Sequence, residues 1–292
     1  MLSNPNPAYT IRILNSPEEF KLAVHLQHEV WNITAQSEAV PKDVMIIAQK
    51  NGALALGAFT PEDQMIGALW GFLGRSEEGQ WKHYSHMLGV MPAWRSSGVG
   101  RDLKLFQREY VISQGLNLVT WTVSPLESPN ASLNFRKLGG ICRKYYPNLY
   151  GNMEDGLNQG LPSDRFDLEW WIKSPRVHQR SQANTPPPGT AQLPDGKIIN
   201  PIHPNGSLLP AGNIDLSLSA PILLYEIPEN FQQVKTASLE SAHEWIMQTR
   251  AVFRHYFEQG YTISDFISEK QSGLRRNFYI LQKNVEEILM KD

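Results

Sequence analysis

Residues 86–103, HMLGVMPAWRSSGVGRDL, carry the spacing most suited to chemistry. An apolar run ends at Val90, Pro92 follows, and the segment Arg95, Ser96, Ser97, Gly98, Val99, Gly100, Arg101 leads into a helix-like stretch. A strand that ends in a turn of glycine and serine and feeds a helix start presents several unpaired backbone N–H groups together with the positive end of the helix dipole. Such a turn is an anion cradle. Two phosphate motifs fail here: the Walker pattern lacks its Gly-Lys-Ser/Thr ending, and the dinucleotide fingerprint lacks its third glycine after Gly98 and Gly100. What remains is R-x-x-G-x-G, preceded at close range by Val90 and Pro92.

The elements that must position this cradle fall into three regions. From about 8 to 174, short β-like runs alternate with amphipathic helical patterns, the rhythm of an α/β or α+β sheet domain. YTIRIL reads as a strand and SPEEFKLAVHLQHEVW as a helix with Ser16 as N-cap and Pro17 in its first turn. GALALGAF, QMIGALWGFL and residues 84–91 read as strands, DLKLFQREYVISQG as a helix closed by Gly115, and LNLVTWTV as a strand. A short helix over 130–138 precedes a closing strand pair, GICRKYYPNLYG and RFDLEWWI. Residues 175–220 are loaded with Pro, Gly and Asn and read as a linker or a long surface excursion. Residues 221–292 return to strand (PILLYEI), long helix (238–258), glycine, strand (GYTISDFI), strand (RRNFYIL) and a short final helix. This repeats the order of 117–172, so the tail is expected to be a degenerate half-repeat.

Composition narrows the ligand. A formal charge of -2 gives no global attraction to nucleic acid or to an anionic membrane, and 41% hydrophobic residues suffice for a packed core. The N-terminal stretch lacks a basic segment followed by a long apolar run, and no window approaches the roughly 20 apolar residues of a spanning helix. A soluble, cytoplasmic protein is expected. Cys142 is the only cysteine, which excludes an intramolecular disulfide and a multi-cysteine zinc site. His25 and His28, three apart on the first helix, have no third ligand pointed to, so they read as surface residues and no metal is expected.

The stretch GVMPAWRSSGVGRDLKLF resembles the GNAT superfamily of acyl-CoA-dependent N-acetyltransferases, whose members carry x-P-x-x-R/Q-x-x-G-x-G/A between a strand and a helix. NASLNFRKLGG is similar to the family's second helix motif. The resemblance covers about 8–174; residues 221–292 would be an additional strand-helix-strand-strand subdomain. It implies an α+β, three-layer fold with a mixed, mainly antiparallel twisted sheet flanked by helices. It also implies that acetyl-CoA or another acyl-CoA is bound by the backbone of Leu88 and Val90, by residues 95–101 (Arg95, Ser96, Ser97, Gly98, Val99, Gly100 and Arg101), and by Asn130 and Asn134 on the second helix.

For acyl transfer by direct attack the amine must lose a proton, the carbonyl needs a donor, and the leaving thiolate must be met by a proton or left to its low pKa. Some members of the family are similar in using a carboxylate on this strand as base, and its equivalent here is Tyr84, with His86 two residues on and on the same strand face; His86 titrates near neutrality and is the expected base. The position of the family's acidic tyrosine holds Phe135, which has no proton to give. Tyr145, Tyr146 and Tyr150 lie just downstream, and Tyr146 is the expected replacement. Arg143 and Arg165 on the closing strands suit a carboxylate, as in an amino acid acceptor, with salt bridges as the alternative. The expected function is N-acylation of a small-molecule amine, with a homodimer as a possible assembly and without nucleic acid or membrane partners. The alternatives are a non-catalytic CoA sensor, and a peptide or protein N-acetyltransferase or N-succinyltransferase.

Overall fold

The computed structural model describes residues 8–33, 38–151, 153, 160–182, 189–193, 195–200, 213–271 and 273–290. Their contacts form two compact units, one ending at Trp121 and the other starting at Thr122. The first region expected from sequence, 1–174, is therefore shared between both units. Both are mixed α+β with mainly antiparallel strands and flanking helices, which is the fold class expected.

In the first unit, β1 (Thr10–Ile13), β2 (Leu54–Phe59), β3 (Met65–Arg75) and β4 (Trp81–Val90) pair antiparallel in chain order, and β5 (Leu118–Val123) joins β4 in parallel. Helix α1 (Pro17–Trp31) starts where the Ser16 hydroxyl accepts the Glu19 N–H, and ends at Asn32, whose left-handed φ of 50° lets its N–H reach the His28 carbonyl. It buries Phe20, Ala23 and Leu26 on one sheet face with Met45 of α2 (Lys42–Lys50), Trp70 and Met87. The opposite face packs Tyr9, Leu54, Leu56, Ile66 and Leu69 against Val99 and Leu103 of α3 (Val99–Ser113). α2 is absent from the sequence reading: it begins after Pro41 without a side-chain cap, so it carries no start signal beyond the proline.

In the second unit the strands lie in the order β7 (Arg165–Trp171), β6 (Ile141–Tyr146), β10 (Thr262–Gln271), β11 (Leu274–Gln282), β9 (Ile222–Ile227) and β8 (Lys197–Ile198). The β6–β7 and β10–β11 hairpins meet through the antiparallel pair Cys142↔Ile263, so the two hairpins lie side by side in one sheet. Gly139 and Gly260, with φ of +76° and +81°, each turn the chain from a helix toward the first strand of a hairpin. The helix expected over 238–258 is α7, Leu239–Glu258, with the Ser238 hydroxyl accepting the Ser241 N–H; a short α6 (Phe231–Ala237) precedes it and α8 (Val285–Met290) closes the chain.

Two expectations need correction. The expected linker begins with a helix, α5 (Pro175–Gln182), in which Arg176 and Val177 are buried, and it also holds β8; proline and glycine content obscured both. Residues 183–188, 194 and 201–212 of that region lie outside the described residues. The short helix expected over 130–138 starts two residues earlier, as α4 (Ser128–Ala131), and continues as a π-helical turn, Ser132–Lys137. Asn130 is therefore inside the helix.

The core of this unit is aromatic. The Phe166 ring meets Phe253 of α7 at 4.7 Å between centroids and Tyr279 of β11 at 5.5 Å, both edge to face. The Arg180 guanidinium caps the π-helical turn by donating to the Phe135 and Arg136 carbonyls, and pairs with Asp265 at 2.6 Å. Arg250 grips Asp164 with two bonds of 2.8 and 2.7 Å, and together with Tyr145 it keeps that buried carboxyl below its ordinary pKa although burial opposes this. Because Phe253 and Tyr279 belong to the same core as Phe166, a chain cut after residue 174 exposes Phe166 and is expected to aggregate. Phe253→Ala in the full chain is expected to cost about 3–5 kcal/mol; gel filtration of the truncation and denaturant unfolding of the variant check the two.

Candidate active site

Within β4 the side chains do not alternate evenly. Ser85 pairs with Gly71 and Met87 with Trp70, which leaves His86 as the extra residue of a β-bulge. Tyr84, His86 and Met87 consequently share the face of α1, where the His86 ring lies 5.4 Å from Trp70 and 6.3 Å from Phe72 and Tyr84. His83 and Ser85, before the bulge, and Leu88 and Val90, after it, face α3. Even alternation would have put His86 on the side of Val90; the bulge places it on the other. His86 keeps an exposed edge, and the partial burial among these rings lowers its pKa. It is therefore neutral, and able to accept a proton, at pH 7.

The bulge leaves the backbone beyond it in a defined phase. Met91 N–H donates to the Ile66 carbonyl at 2.9 Å, and the register runs Gly67↔Val90, Ala68↔Gly89, Leu69↔Leu88. In an antiparallel ladder alternate residues exchange both hydrogen bonds with the partner strand. Gly89 and Met91 thus bond to β3, while the amides of Leu88 and Val90 point the other way. On that side β5 pairs with β4 only at His83↔Val119 and Tyr84↔Thr120. The two strands part after Tyr84, and the Leu88 and Val90 amides face the gap.

At the far end of β4 the chain makes the cradle. A single 3₁₀ turn over Pro92–Trp94 ends at Arg95, Ser96 takes a left-handed φ of 65°, and Gly98 a φ of +101°. Two left-handed residues flanking Ser97 turn successive N–H groups toward a common side. Gly98 is the N-cap of α3 and has no side chain to cap with; Asp102 N–H reaches the Gly98 carbonyl at 3.0 Å, so the N–H groups of Val99, Gly100 and Arg101 stand at the open helix end. Arg95, Ser96, Ser97 and Gly98 are exposed. A Cβ on Gly98 would meet only the Tyr9 hydroxyl, at 3.7 Å, so backbone conformation and not crowding requires the glycine.

In the second unit the candidate side chains are engaged. Phe135 is fully buried, with its ring edge-on to Tyr279 at 5.5 Å and Phe166 at 6.4 Å: the position that resembles the family's acidic tyrosine is a core position here. Tyr145 donates to Asp164 at 2.6 Å, and burial beside that carboxylate pushes its pKa up; Tyr146 donates to Asp167 at 3.1 Å. Tyr150 shares a hydrogen bond of 2.8 Å with Thr122. Arg143 forks onto Glu169 with bonds of 2.7 and 3.0 Å, so the salt bridge is what the structure places there, and Arg165 is buried, donating to the Asp164 carbonyl at 2.9 Å and to the Met153 sulfur at 3.3 Å. Asn130 is exposed on α4, and Asn134 is buried in the π-helical turn. Cys142 is buried, and burial raises its pKa, as suits packing. The described residues contain no cluster of metal-ligating side chains, and no helix among them is long and apolar enough to cross a membrane.

No protein-family model matches the sequence, and no curated protein matches it. Solved structures with a similar fold include Naa20 of Chaetomium thermophilum in complex with a bisubstrate analogue, at 18% identity and TM-score 0.44 over 60% of this chain and 92% of that one. The ribosomal-protein-S18-alanine N-acetyltransferase from Escherichia coli is similar at 15% identity and TM-score 0.43, over 56% of this chain and 94% of its own. An acetyltransferase of the GNAT family from Streptococcus pneumoniae is similar at 14% identity and TM-score 0.45, over 55% and 98%.

The cradle geometry separates ligand binding from folding at two glycines. Gly98→Ala forces a Cβ into left-handed backbone, at a cost of about 1–2 kcal/mol. Gly100→Ala, in the first turn of α3, gains up to about 1 kcal/mol of helix propensity. Both are expected to weaken acyl-CoA binding at least tenfold, so calorimetry and melting temperature should move in opposite senses for Gly100→Ala.

Proposed function

We propose that this chain is an acyl-CoA-dependent N-acyltransferase, with acetyl-CoA as the favoured donor and a small-molecule amine, such as an amino acid, as acceptor. The observation that carries the reading is the pair of Leu88 and Val90 amides directed into a gap between strands that ends, on the same side, at an uncapped glycine-led helix. Backbone amides left without partners inside a protein cost about 1–3 kcal/mol each. A ligand that is extended, rich in amide groups and terminated by a pyrophosphate satisfies both features: its amides complete the β4 edge and its phosphates meet the N–H groups at residues 96–101. Its thioester supplies an activated acyl carbon.

The chain's own groups then have separable tasks. The Val90 amide is placed to donate to the acyl carbonyl oxygen as charge develops on it. His86, neutral at pH 7, takes the proton of the attacking amine directly or through a water, with Tyr84 beside it. Asn130 and Asn134 are assigned to the donor side, as the family resemblance suggests. No covalent enzyme nucleophile is required, and Cys142, buried in its strand, is not one. An amino acid carboxylate would have to compete with Glu169 for Arg143, which makes amines without a carboxylate equally good candidates. A non-catalytic CoA-binding module is the second reading, favoured by one observation: Phe135 lies in the core, and Tyr145 and Tyr146 each donate to a carboxylate.

Incubation with acetyl-CoA and a panel of amines, scored by thiol release above the hydrolysis rate, separates the two. If His86 is the base, activity depends on its neutral form, so it should be full above the ordinary histidine value of about 6.5 and fall as pH drops through the lowered pKa. His86→Gln, which keeps a hydrogen bond but accepts no proton, is expected to lose roughly 10²-fold or more in turnover while acyl-CoA affinity stays near normal. An unchanged pH profile in that variant would make the histidine structural.

A further inference from the structure

The sheet face that carries His86 holds four rings in one block. Phe72 of β3 stands directly opposite Tyr84, and Trp70, two residues along β3, reaches the bulged His86. Ring centroids lie 5.2 Å apart for Trp70 and Phe72, 5.4 Å for Trp70 and His86, and 5.5 Å for Phe72 and Tyr84. The His86 ring is 6.3 Å from both Phe72 and Tyr84. These are contact separations for aromatic side chains. The block is graded in exposure: Trp70 is buried, Phe72 and Tyr84 are half-buried, and His86 has an open edge.

Two polar atoms on this face are left over. Trp70 Nε1 and Thr120 Oγ1 make no hydrogen bond among the described residues, although the two residues are only 5% and 3% exposed. Thr120 is the partner of Tyr84 across the parallel pairing with β5, so it shares the Tyr84 face. Buried polar side chains in a finished core are paired, so two orphans at the margins of a ring block point to a polar atom that the chain itself does not supply. Full charge is scarce here. Of the β3 and β4 residues on this face, only Lys82 is charged at pH 7, and it lies two residues before Tyr84, on the side away from Val90. An aliphatic surface would accept any apolar chain, whereas partly open rings favour another ring, because stacked and edge-to-face pairs add to the burial of area.

We propose that this ring block is the acceptor subsite and that it selects an amine carried on an aromatic ring with a polar substituent and no carboxylate. The inference rests on the acyl-CoA reading and deepens it by naming the acceptor class. The amine lies at His86, the group assigned to take its proton, and the ring of the acceptor lies against Phe72 and Tyr84. The polar substituent ends beside Tyr84, where it pairs with the Thr120 hydroxyl. That hydroxyl is closed off in the unliganded chain, so the half-buried Tyr84 ring shifts to admit the substituent. Phe72 and Thr120 thus determine specificity by touching the body of the acceptor, away from the reacting atoms.

The test reads binding separately from turnover. The full-length protein, saturated with coenzyme A, is titrated by calorimetry with 2-phenylethylamine, tyramine and hexylamine. The wild type is expected to bind 2-phenylethylamine roughly tenfold more tightly than hexylamine. Tyramine, which adds a ring hydroxyl, should bind more tightly again by roughly threefold or more. Phe72→Leu keeps an apolar side chain and should erase the preference for a ring while leaving hexylamine unchanged. Thr120→Val keeps the shape and removes the hydroxyl, so it should erase the tyramine advantage alone. Because it also removes an unpaired buried hydroxyl, it is expected to fold and reports if Phe72→Leu does not. In acyl transfer from acetyl-CoA the same losses should appear as a raised KM with kcat little changed. Coenzyme A that binds to a protein showing no amine binding, or equal affinity for aromatic and aliphatic amines, overturns the acceptor assignment alone. Variants that weaken all three amines alike do the same, since that is what a purely structural role would give. Coenzyme A that does not bind the wild type overturns the acyl-CoA reading, and this inference with it.

Discussion

The parallel pairing of β4 with β5 lasts for two residue pairs, and the chemistry of the first unit depends on where it stops. Had the ladder continued to Val90, the amides of Leu88 and Val90 would be spent on β5, as the amides of Gly89 and Met91 are spent on β3. The bulge at His86 fixes which amides are left over, because it inserts one residue and shifts the phase of everything after it. The same insertion divides the side chains: His86 and Tyr84 are carried to the α1 face, Ser85 and its Lys104 partner stay toward α3. One irregularity in one strand thus sets His86 and Ser85 on opposite faces of the sheet.

The second unit meets a different constraint, which is how to bury charge and aromatic bulk together. Its arginines are committed to internal partners: Arg180 to Asp265 and to the carbonyls of the π-helical turn, Arg250 to Asp164, Arg276 to Glu226 at 2.7 Å through its Nε. Buried pairs of this type add modestly to stability, yet removing one partner leaves the other uncompensated at a cost of about 3–5 kcal/mol. They fix register and helix ends more than they add net free energy. Phe135 belongs to this economy as well, because a phenol hydroxyl at that position would have to find a partner among the rings of Phe166 and Tyr279.

Much of this was legible in the sequence where a local rule decides the structure. Ser16 with Pro17 marked the start of α1, residue 238 was read as the start of α7, and Arg95 to Gly100 marked a strand-to-helix turn, because left-handed backbone there calls for glycine. α5 was hidden by the proline-rich composition around it, and α2 by the lack of a capping side chain. The bulge could not be read, since an inserted residue leaves no trace in the alternation of HYSHMLGV, and the face of His86 relative to Val90 followed from it. Lys104 went unnoticed for a related reason: in DLKLFQREY it reads as the polar face of an amphipathic helix, and only the register of β4 reveals that it points inward to Ser85. The committed partners of Arg143, Tyr145 and Tyr146 come from residues 19 to 26 positions away in sequence, beyond the reach of pattern.

The central claim is that acyl-CoA completes the exposed edge of β4, and amide hydrogen exchange tests it residue by residue. On addition of acetyl-CoA, the Leu88 and Val90 amides should become strongly protected, with Val99 to Arg101 following, while Gly89 and Met91, already bonded to β3, change little. Saturating acetyl-CoA that leaves Leu88 and Val90 exchanging at their original rates would contradict the account.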